Sequence, residues 1–223
     1  MKNEPVRVKK VEHLTPDVLH IVVEKPDEVS YTPGQATEVF IDKPDWQNEG
    51  RPFTFIGLPE DDYLEFAIKT YPSHKGVTNE LLNLKAGDNL ILNDVFGAIE
   101  YKGEGTFIAG GAGVTPFIAI LRSLQKKNQL AKNTLLFANK TEKDIILQKE
   151  FKDMLHDNFV NILSQEESKK YPHGYISEDF IEEHAADMKG CFYICGPIPM
   201  IDAVKKQLAN LGVAEKRIVT EEF

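Results

Sequence analysis

Apolar and polar residues alternate in short runs over the first hundred positions and change rhythm after that. Val6-Arg7-Val8-Lys9 alternates with a period of two, as a half-buried strand does. Further strand-like runs follow at Val18 to Val23, Ala36 to Ile41, Pro52 to Gly57, Tyr63 to Thr70 and Asn89 to Asp94. Turn residues separate them: Lys25-Pro26-Asp27, Thr32-Pro33-Gly34, Leu58 to Asp62 and Ala86-Gly87-Asp88. Short strands at such spacing predict an antiparallel barrel or sandwich, with one short helix around Thr78 to Leu84. From Gly103 apolar strands (Thr106 to Ala109, Thr134 to Ala138, Val160 to Leu163, Cys191 to Ile194, Arg217 to Thr220) alternate with helical stretches. The helices are expected at Pro116 to Lys127, Asp144 to Leu155, Ser177 to His184 and Pro199 to Leu211. That alternation predicts a doubly wound parallel sheet. The fold class is thus α/β in two domains: an N-terminal antiparallel β-barrel over residues 1–102 and a parallel-sheet domain over 103–223. The polar Lys102-Gly103-Glu104-Gly105 stretch is the expected boundary.

The chain of 223 residues has ordinary apolar content, and its net charge of −9 argues against nucleic acid and anionic membrane surfaces as partners. The longest uncharged run, Thr106 to Leu121, is broken by glycines and a proline and is shorter than a membrane span. Met1 to Lys10 has no signal-peptide core, so the expected location is the cytoplasm. Cys191 and Cys195 are the only cysteines, too few for an iron–sulfur cluster, and the six histidines show no metal spacing. Electron chemistry in this chain would need an organic cofactor.

Phe107 to Phe117 carries the densest chemistry: strand, glycine turn, helix start. Gly110, Gly111 and Gly113 permit a sharp turn and close approach of a ligand. Thr115 suits an N-cap and Pro116 the first helical position, where free N–H groups attract phosphate. The motif fits a dinucleotide pyrophosphate cradle, and equally a tight βα turn packed on itself. Arg51-Pro52-Phe53-Thr54 offers a cation, an aromatic ring and a hydroxyl on one strand. Lys75-Gly76-Val77-Thr78 enters the short helix, and Cys195-Gly196-Pro197 follows a parallel strand at its carboxyl end. Lys140 ends the second parallel strand, where a basic residue favours a 2′-phosphate and so NADPH. Each of these also reads as an ordinary strand, cap or loop.

In this order the motifs resemble the ferredoxin–NADP(+) reductase superfamily over nearly the whole chain, as a single-component member close to ferredoxin or flavodoxin reductases. The resemblance implies an NAD(P)H-dependent flavin oxidoreductase. Arg51 would meet the flavin phosphate, with Pro52 and Phe53 beside the ring and Thr54 bonded to flavin N5. Ile68, Lys69 and Tyr71 would line the flavin, and Lys75, Gly76, Val77 and Thr78 would hold the FAD pyrophosphate. FAD is expected over FMN. Gly110, Gly111, Gly113, Thr115 and Pro116 would cradle NADPH or NADH, with Lys140, Gly196, Pro197 and Met200 completing the cofactor-binding set. Cys195 would stand beside the nicotinamide, Glu221 would polarise the site, and the terminal Phe223 would stack on the flavin. Phe53 replaces the family's commoner tyrosine and Thr54 its commoner serine. The usual Gly-Pro-x-Gly before the linker reads Asp94-Val95-Phe96-Gly97. The implied electron acceptor is a small redox protein (ferredoxin, flavodoxin or an oxygenase component). The alternatives are an NAD(P)H:flavin or quinone reductase and a non-turnover electron-transfer subunit.

Overall fold

A computed structural model describes residues 4–97, 99–130 and 132–221. The chain divides into two compact units: Met1–Ala98 with Thr115–Ser123, and Ile99–Val114 with Leu124–Phe223.

The first unit is built on six antiparallel strands: β1 (Glu4–Thr15), β2 (Val18–Glu24), β3 (Ala36–Ile41), β4 (Arg51–Thr54), β5 (Tyr63–Lys69) and β6 (Asn89–Phe96). They lie in the order β4-β3-β6-β1-β2-β5. The chain beyond β4 then bridges to β5 through Phe55 and Phe66, and the Ile56 N–H donates to the Glu65 carbonyl at 2.9 Å. That pairing closes the sheet, which leaves no long free edge. Alternate residues of each strand fill one core: Val6, Val8, Ile21, Val23, Val39, Ile41, Leu64, Phe66, Leu90 and Leu92 are essentially inaccessible. Phe55 stacks on Tyr31 with centroids 4.2 Å apart.

β1 runs well past the four residues whose alternation marks it. The pairing with β2 shifts between Val8 and Lys10, so a bulge at Lys9 breaks the period of two and hides the second half. The polar face of this ladder carries a chain of alternating charges. Lys10 Nζ meets Glu12 Oε1 at 2.7 Å, which meets His20 Nδ1 at 3.1 Å. His20 Nε2 faces Glu65 Oε1 at 3.2 Å, and Glu65 Oε2 accepts from Arg122 Nη1 at 2.8 Å. Arg122 belongs to α2 (Thr115–Lys126), and its Nη1 also donates to the Ile56 carbonyl. A short helix, α1 (Val77–Glu80), and a 3₁₀ turn at Leu81–Asn83 follow β5.

The second unit is a five-stranded parallel sheet: β7 (Gly105–Gly110), β8 (Thr134–Asn139), β9 (Phe159–Leu163), β10 (Cys191–Cys195) and β11 (Ile218–Thr220), in the order β11-β10-β7-β8-β9. Its strands are apolar on both faces, as doubly covered strands must be. Ile108, Leu136, Ile162 and Ile194 pack with Phe180 and Ile181 of α4 (Glu178–His184) and with Val204 and Leu208 of α5 (Ile198–Asn210). On the opposite face Phe137 meets Phe151 of α3 (Gln148–Leu155) edge-on at 6.4 Å. The entry segment is anchored rather than loose. Tyr101 lies beside the stacked Phe107–Tyr193 pair, and the Tyr193 hydroxyl donates to the Gly103 carbonyl (2.7 Å) and accepts from the Lys102 N–H (2.8 Å).

The third helix differs from the expected Asp144 to Leu155. Thr141 and Asp144 form a capping box on a separate 3₁₀ turn at Glu142–Asp144. The buried Ile145 and Ile146 then run out of helix, and Leu147 takes a left-handed φ of 50° before α3 begins.

Candidate nucleotide and flavin sites

In the first unit, Arg51 lies on β4 with its side chain half exposed, held by Nη1 donating to the Gly50 carbonyl at 2.6 Å. Pro52 is exposed, whereas Phe53 and Thr54 are half-buried and Phe53 leans on the barrel core. Ile68 and Val77 are core residues, so only their backbone is free to face a ligand. Lys69 pairs with Asp17 at 2.8 Å, which occupies its ammonium. Tyr71 is exposed and stacks on His74 (centroids 5.4 Å, 11°) just ahead of Lys75 and Gly76. Gly76 is extended at the N-cap of α1, and a Cβ there would meet nothing within 4 Å. Thr78, half-buried, sits in the first turn of that helix. The open space at Gly76, the exposed Lys75 and Arg51, whose Nη2 also lies 3.6 Å from Glu49 Oε2, suit the diphosphate and phosphate of a flavin nucleotide.

In the second unit the glycines after β7 divide into two kinds. Gly111 turns the chain with φ +52°, and a Cβ would find open space. Gly110 and Gly113 open no space for a ligand: the protein's own chain fills it. A Cβ on Gly110 would lie 2.5 Å from Met200 Sδ and 3.0 Å from Pro197, and one on Gly113 would lie 2.4 Å from the Cys195 carbonyl oxygen. These two glycines and Met200 lock the turn after β7 against the turn after β10, and Gly196 completes that lock. Gly111–Val114 form a 3₁₀ turn that leads directly into α2 at Thr115, with Pro116 buried in its first turn. That geometry leaves one open glycine at a helix start, the arrangement that receives a pyrophosphate.

Beside it the Asn139 side chain, at the end of β8, is 6% exposed, and neither amide atom has a partner among the described residues. β8 packs on the 111–114 turn, and its register pairs Ala138 with Gly110, which puts Asn139 one residue beyond that pair. Lys140, the next residue, is exposed. Cys195 is 8% exposed, and its Sγ donates to Glu221 Oε2 at 3.7 Å. Burial, then the neighbouring carboxylate, push this thiol far above its ordinary value, so it stays neutral. Burial also pushes the Glu221 carboxyl up. The pair can hold a proton at a buried carboxyl and present a neutral sulfur. It supplies no thiolate nucleophile. The terminal Phe223 lies outside the described residues. The pairing of Cys195 with Glu221 across strands β10 and β11 has no local sequence signal, because 25 intervening residues hide it.

An antiparallel closed sheet with an open phosphate-type turn, followed by a parallel sheet with an open glycine at a helix start, defines a two-domain flavin- and nicotinamide-nucleotide oxidoreductase fold. Comparison with known proteins agrees. Residues 3–137 match the FAD-binding domain family and residues 107–206 the oxidoreductase NAD-binding domain family. The chain belongs to this FAD- and NAD-binding family. Relatives include NADH-cytochrome b5 reductase 2 of Rattus norvegicus, 30% identical over 196 residues (74% of this chain, 71% of the relative). The Mycosarcoma maydis NADH-cytochrome b5 reductase 2 is 31% identical over 179 residues (73% of this chain), and the match spans only 50% of its length. Among solved structures, the FAD/NAD-binding domain of a Vibrio cholerae nitric oxide dioxygenase superposes with TM-score 0.88 at 24% identity, covering 100% of this chain and 99% of that one. A Neisseria gonorrhoeae ferredoxin NADP+ reductase with bound FAD and NADP reaches 0.85 at 16% identity, covering 99% and 98%. These two share the fold. Among the described residues no helix is long and apolar enough to cross a membrane, and no group of metal-ligating side chains occurs.

Proposed function

We propose that the protein is an NAD(P)H-dependent flavin reductase that feeds electrons singly to a small redox protein. One observation carries this reading: FAD-binding and NAD-binding family matches meet in one chain, and each falls on an open glycine, Gly76 and Gly111. FAD held at these residues would supply hydride acceptance from the nicotinamide and release of electrons one at a time.

The chain's own residues bind, orient and exclude water. Arg51 neutralises a flavin phosphate, and the backbone at Gly76-Val77-Thr78 receives the diphosphate. Thr54 presents a hydroxyl at the end of β4 to the flavin ring edge, and Phe53 supplies an apolar surface. Gly111 and the start of α2 take the nicotinamide nucleotide's pyrophosphate. Cys195 offers a neutral, desolvated sulfur to the nicotinamide, and Glu221, its carboxyl pushed up by burial, accepts from that sulfur. Phe223 is the aromatic that would cover the flavin.

Two cysteines are too few for an iron–sulfur cluster within these residues, so the acceptor's redox centre lies outside them. The b5 reductase relatives support a small haem protein of the cytochrome b5 kind as that acceptor, and the sequence motifs support ferredoxin or flavodoxin. NADH-driven reduction of cytochrome b5, ferredoxin and flavodoxin, each followed by its own absorbance, separates them. Reduction of the haem protein well above the rates of the other two is expected. Turnover only with free flavin or quinone would overturn the protein-acceptor reading.

A further inference from the structure

β4 ends where the barrel strand changes partner. Thr54 is its last residue to pair with β3, opposite Ala36. Phe55 already bridges to Phe66 of β5, while its N–H still donates to the Gln35 carbonyl at 3.1 Å. One residue on, the Ile56 N–H donates to the Glu65 carbonyl at 2.9 Å. Ile56 is 1% exposed, so its own carbonyl needs a donor from inside the protein. Arg122 of α2 supplies it: Nη1 donates to the Ile56 carbonyl and to Glu65 Oε2, both at 2.8 Å. Thr115–Ser123 groups with the barrel, so this contact lies within the first unit. The second Glu65 oxygen, Oε1, faces His20 Nε2 at 3.2 Å. Glu65 and Arg122 thus hold the Ile56 peptide from both sides, one at its N–H and the other at its carbonyl.

Stability alone is a poor account of this pair. The Arg122 and Glu65 side chains are 21% and 13% exposed, and the cost of taking such charges out of water offsets much of what their attraction gains. What a planar guanidinium does supply is direction, because its donors keep a fixed geometry. Only Phe55 separates the held peptide from Thr54, and that ring is buried and stacked on Tyr31. A shift at Ile56 is therefore passed on to Thr54 along a short, packed piece of chain. A misplacement of about 1 Å at a reacting group costs up to about 10²-fold in rate.

Resting on the flavin reading above, we propose that Arg122 and Glu65 are positioning residues for flavin reduction: they hold the Ile56 peptide, and through the buried Phe55 they fix where the Thr54 hydroxyl meets the flavin ring edge.

The test is stopped-flow reduction of the purified flavoprotein by NADH over a range of concentrations, with bound FAD and melting temperature measured on each sample. Arg122→Met is expected to retain FAD and to lower the limiting reduction rate about tenfold. The half-saturating NADH concentration should change by less than about threefold, since the effect falls on the chemical step. Arg122→Lys, which keeps a cationic donor, should recover most of the rate. Thr54→Ala with Arg122→Met should be no slower than Thr54→Ala alone, because the hydroxyl that Arg122 positions is gone. If Arg122→Met does not fold, Glu65→Gln takes its place, with an expected fall of about threefold. A folded, FAD-loaded variant reduced at the wild-type rate would overturn the positioning role, as would rate losses that multiply in the double variant. Wild type that neither NADH nor NADPH reduces would instead remove the flavin reading, and this inference with it.

Discussion

Gly111 and Gly113 stand two residues apart in the same turn, and the structure predicts opposite consequences for adding one methyl group to each. At Gly113 the new Cβ would lie 2.4 Å from the Cys195 carbonyl oxygen and 2.5 Å from its carbon and from Gly196 Cα. These are backbone atoms of a neighbouring parallel strand, which cannot rotate away. Overpacking costs about 1–3 kcal/mol where side chains can adjust, so Gly113→Ala belongs at or above the upper end, roughly 3 kcal/mol. For a chain of this size that corresponds to a fall in melting temperature of about 6–12 °C. At Gly111 the Cβ meets nothing, and the cost is the left-handed φ of +52°. That costs about 1–2 kcal/mol, partly offset by about 0.4–1 kcal/mol from the stiffer unfolded chain. Gly111→Ala should therefore melt within about 6 °C of wild type, yet its methyl occupies the space assigned to the nucleotide, so ADP-ribose affinity should fall at least tenfold. Thermal melts of the flavoprotein and calorimetric titration of both variants decide the matter. A Gly113→Ala protein as stable as wild type would refute the packing argument. A Gly111→Ala protein that binds ADP-ribose normally would refute the cradle.

The charge chain on the barrel predicts a pH effect with a definite sign. Hydrogen bonds from Glu65 and Glu12 outweigh burial and raise the His20 pKa above 6.5, so its contribution is complete below about pH 6.5 and is lost as pH rises through the folded value. The melting difference between wild type and His20→Gln should be largest near pH 6 and shrink toward pH 9; a pH-independent difference would contradict it. Burial raises Glu65, but His20 and Arg122 more than compensate and leave its pKa lowered. Its share of stability is therefore lost only as pH falls through that value, below about 4.5, and acid melts of Glu65→Gln check this. Tyr31 buries a hydroxyl without a partner among the described residues. Tyr31→Phe should be neutral or up to about 1 kcal/mol more stable in urea denaturation, since an unpaired polar group costs that much or more. Thr54→Ala should retain bound flavin, measured by absorbance after gel filtration, while slowing its reduction by NADH in stopped flow.

What the sequence makes legible follows from where its signals are local. Strand alternation and the βαβ rhythm are properties of neighbouring residues, so both sheets and the glycine turn can be read from the chain directly. The second half of β1 is hidden by the Lys9 bulge, which reverses the alternation after it, and by a second shift between His13 and Thr15. The third helix is overextended because a helical period cannot register the left-handed Leu147. At the sites, residue types are legible but their duties are not. Gly110 and Gly113 read like Gly111 until Met200 and Cys195 are brought against them. Lys69 reads as one more flavin-lining residue until Asp17 pairs with its ammonium. Glu166 reaches Glu142 from 24 residues downstream, through a hydrogen bond from the Glu142 N–H that no motif records.

The most direct test of the account is an anaerobic titration of the purified protein with NADH, followed through the visible flavin spectrum. The account predicts a yellow protein whose flavin absorbance bleaches with about one equivalent of nucleotide and returns on adding an electron-accepting redox protein. A protein that stays colourless after incubation with FAD, or a yellow one that neither NADH nor NADPH bleaches, would contradict it.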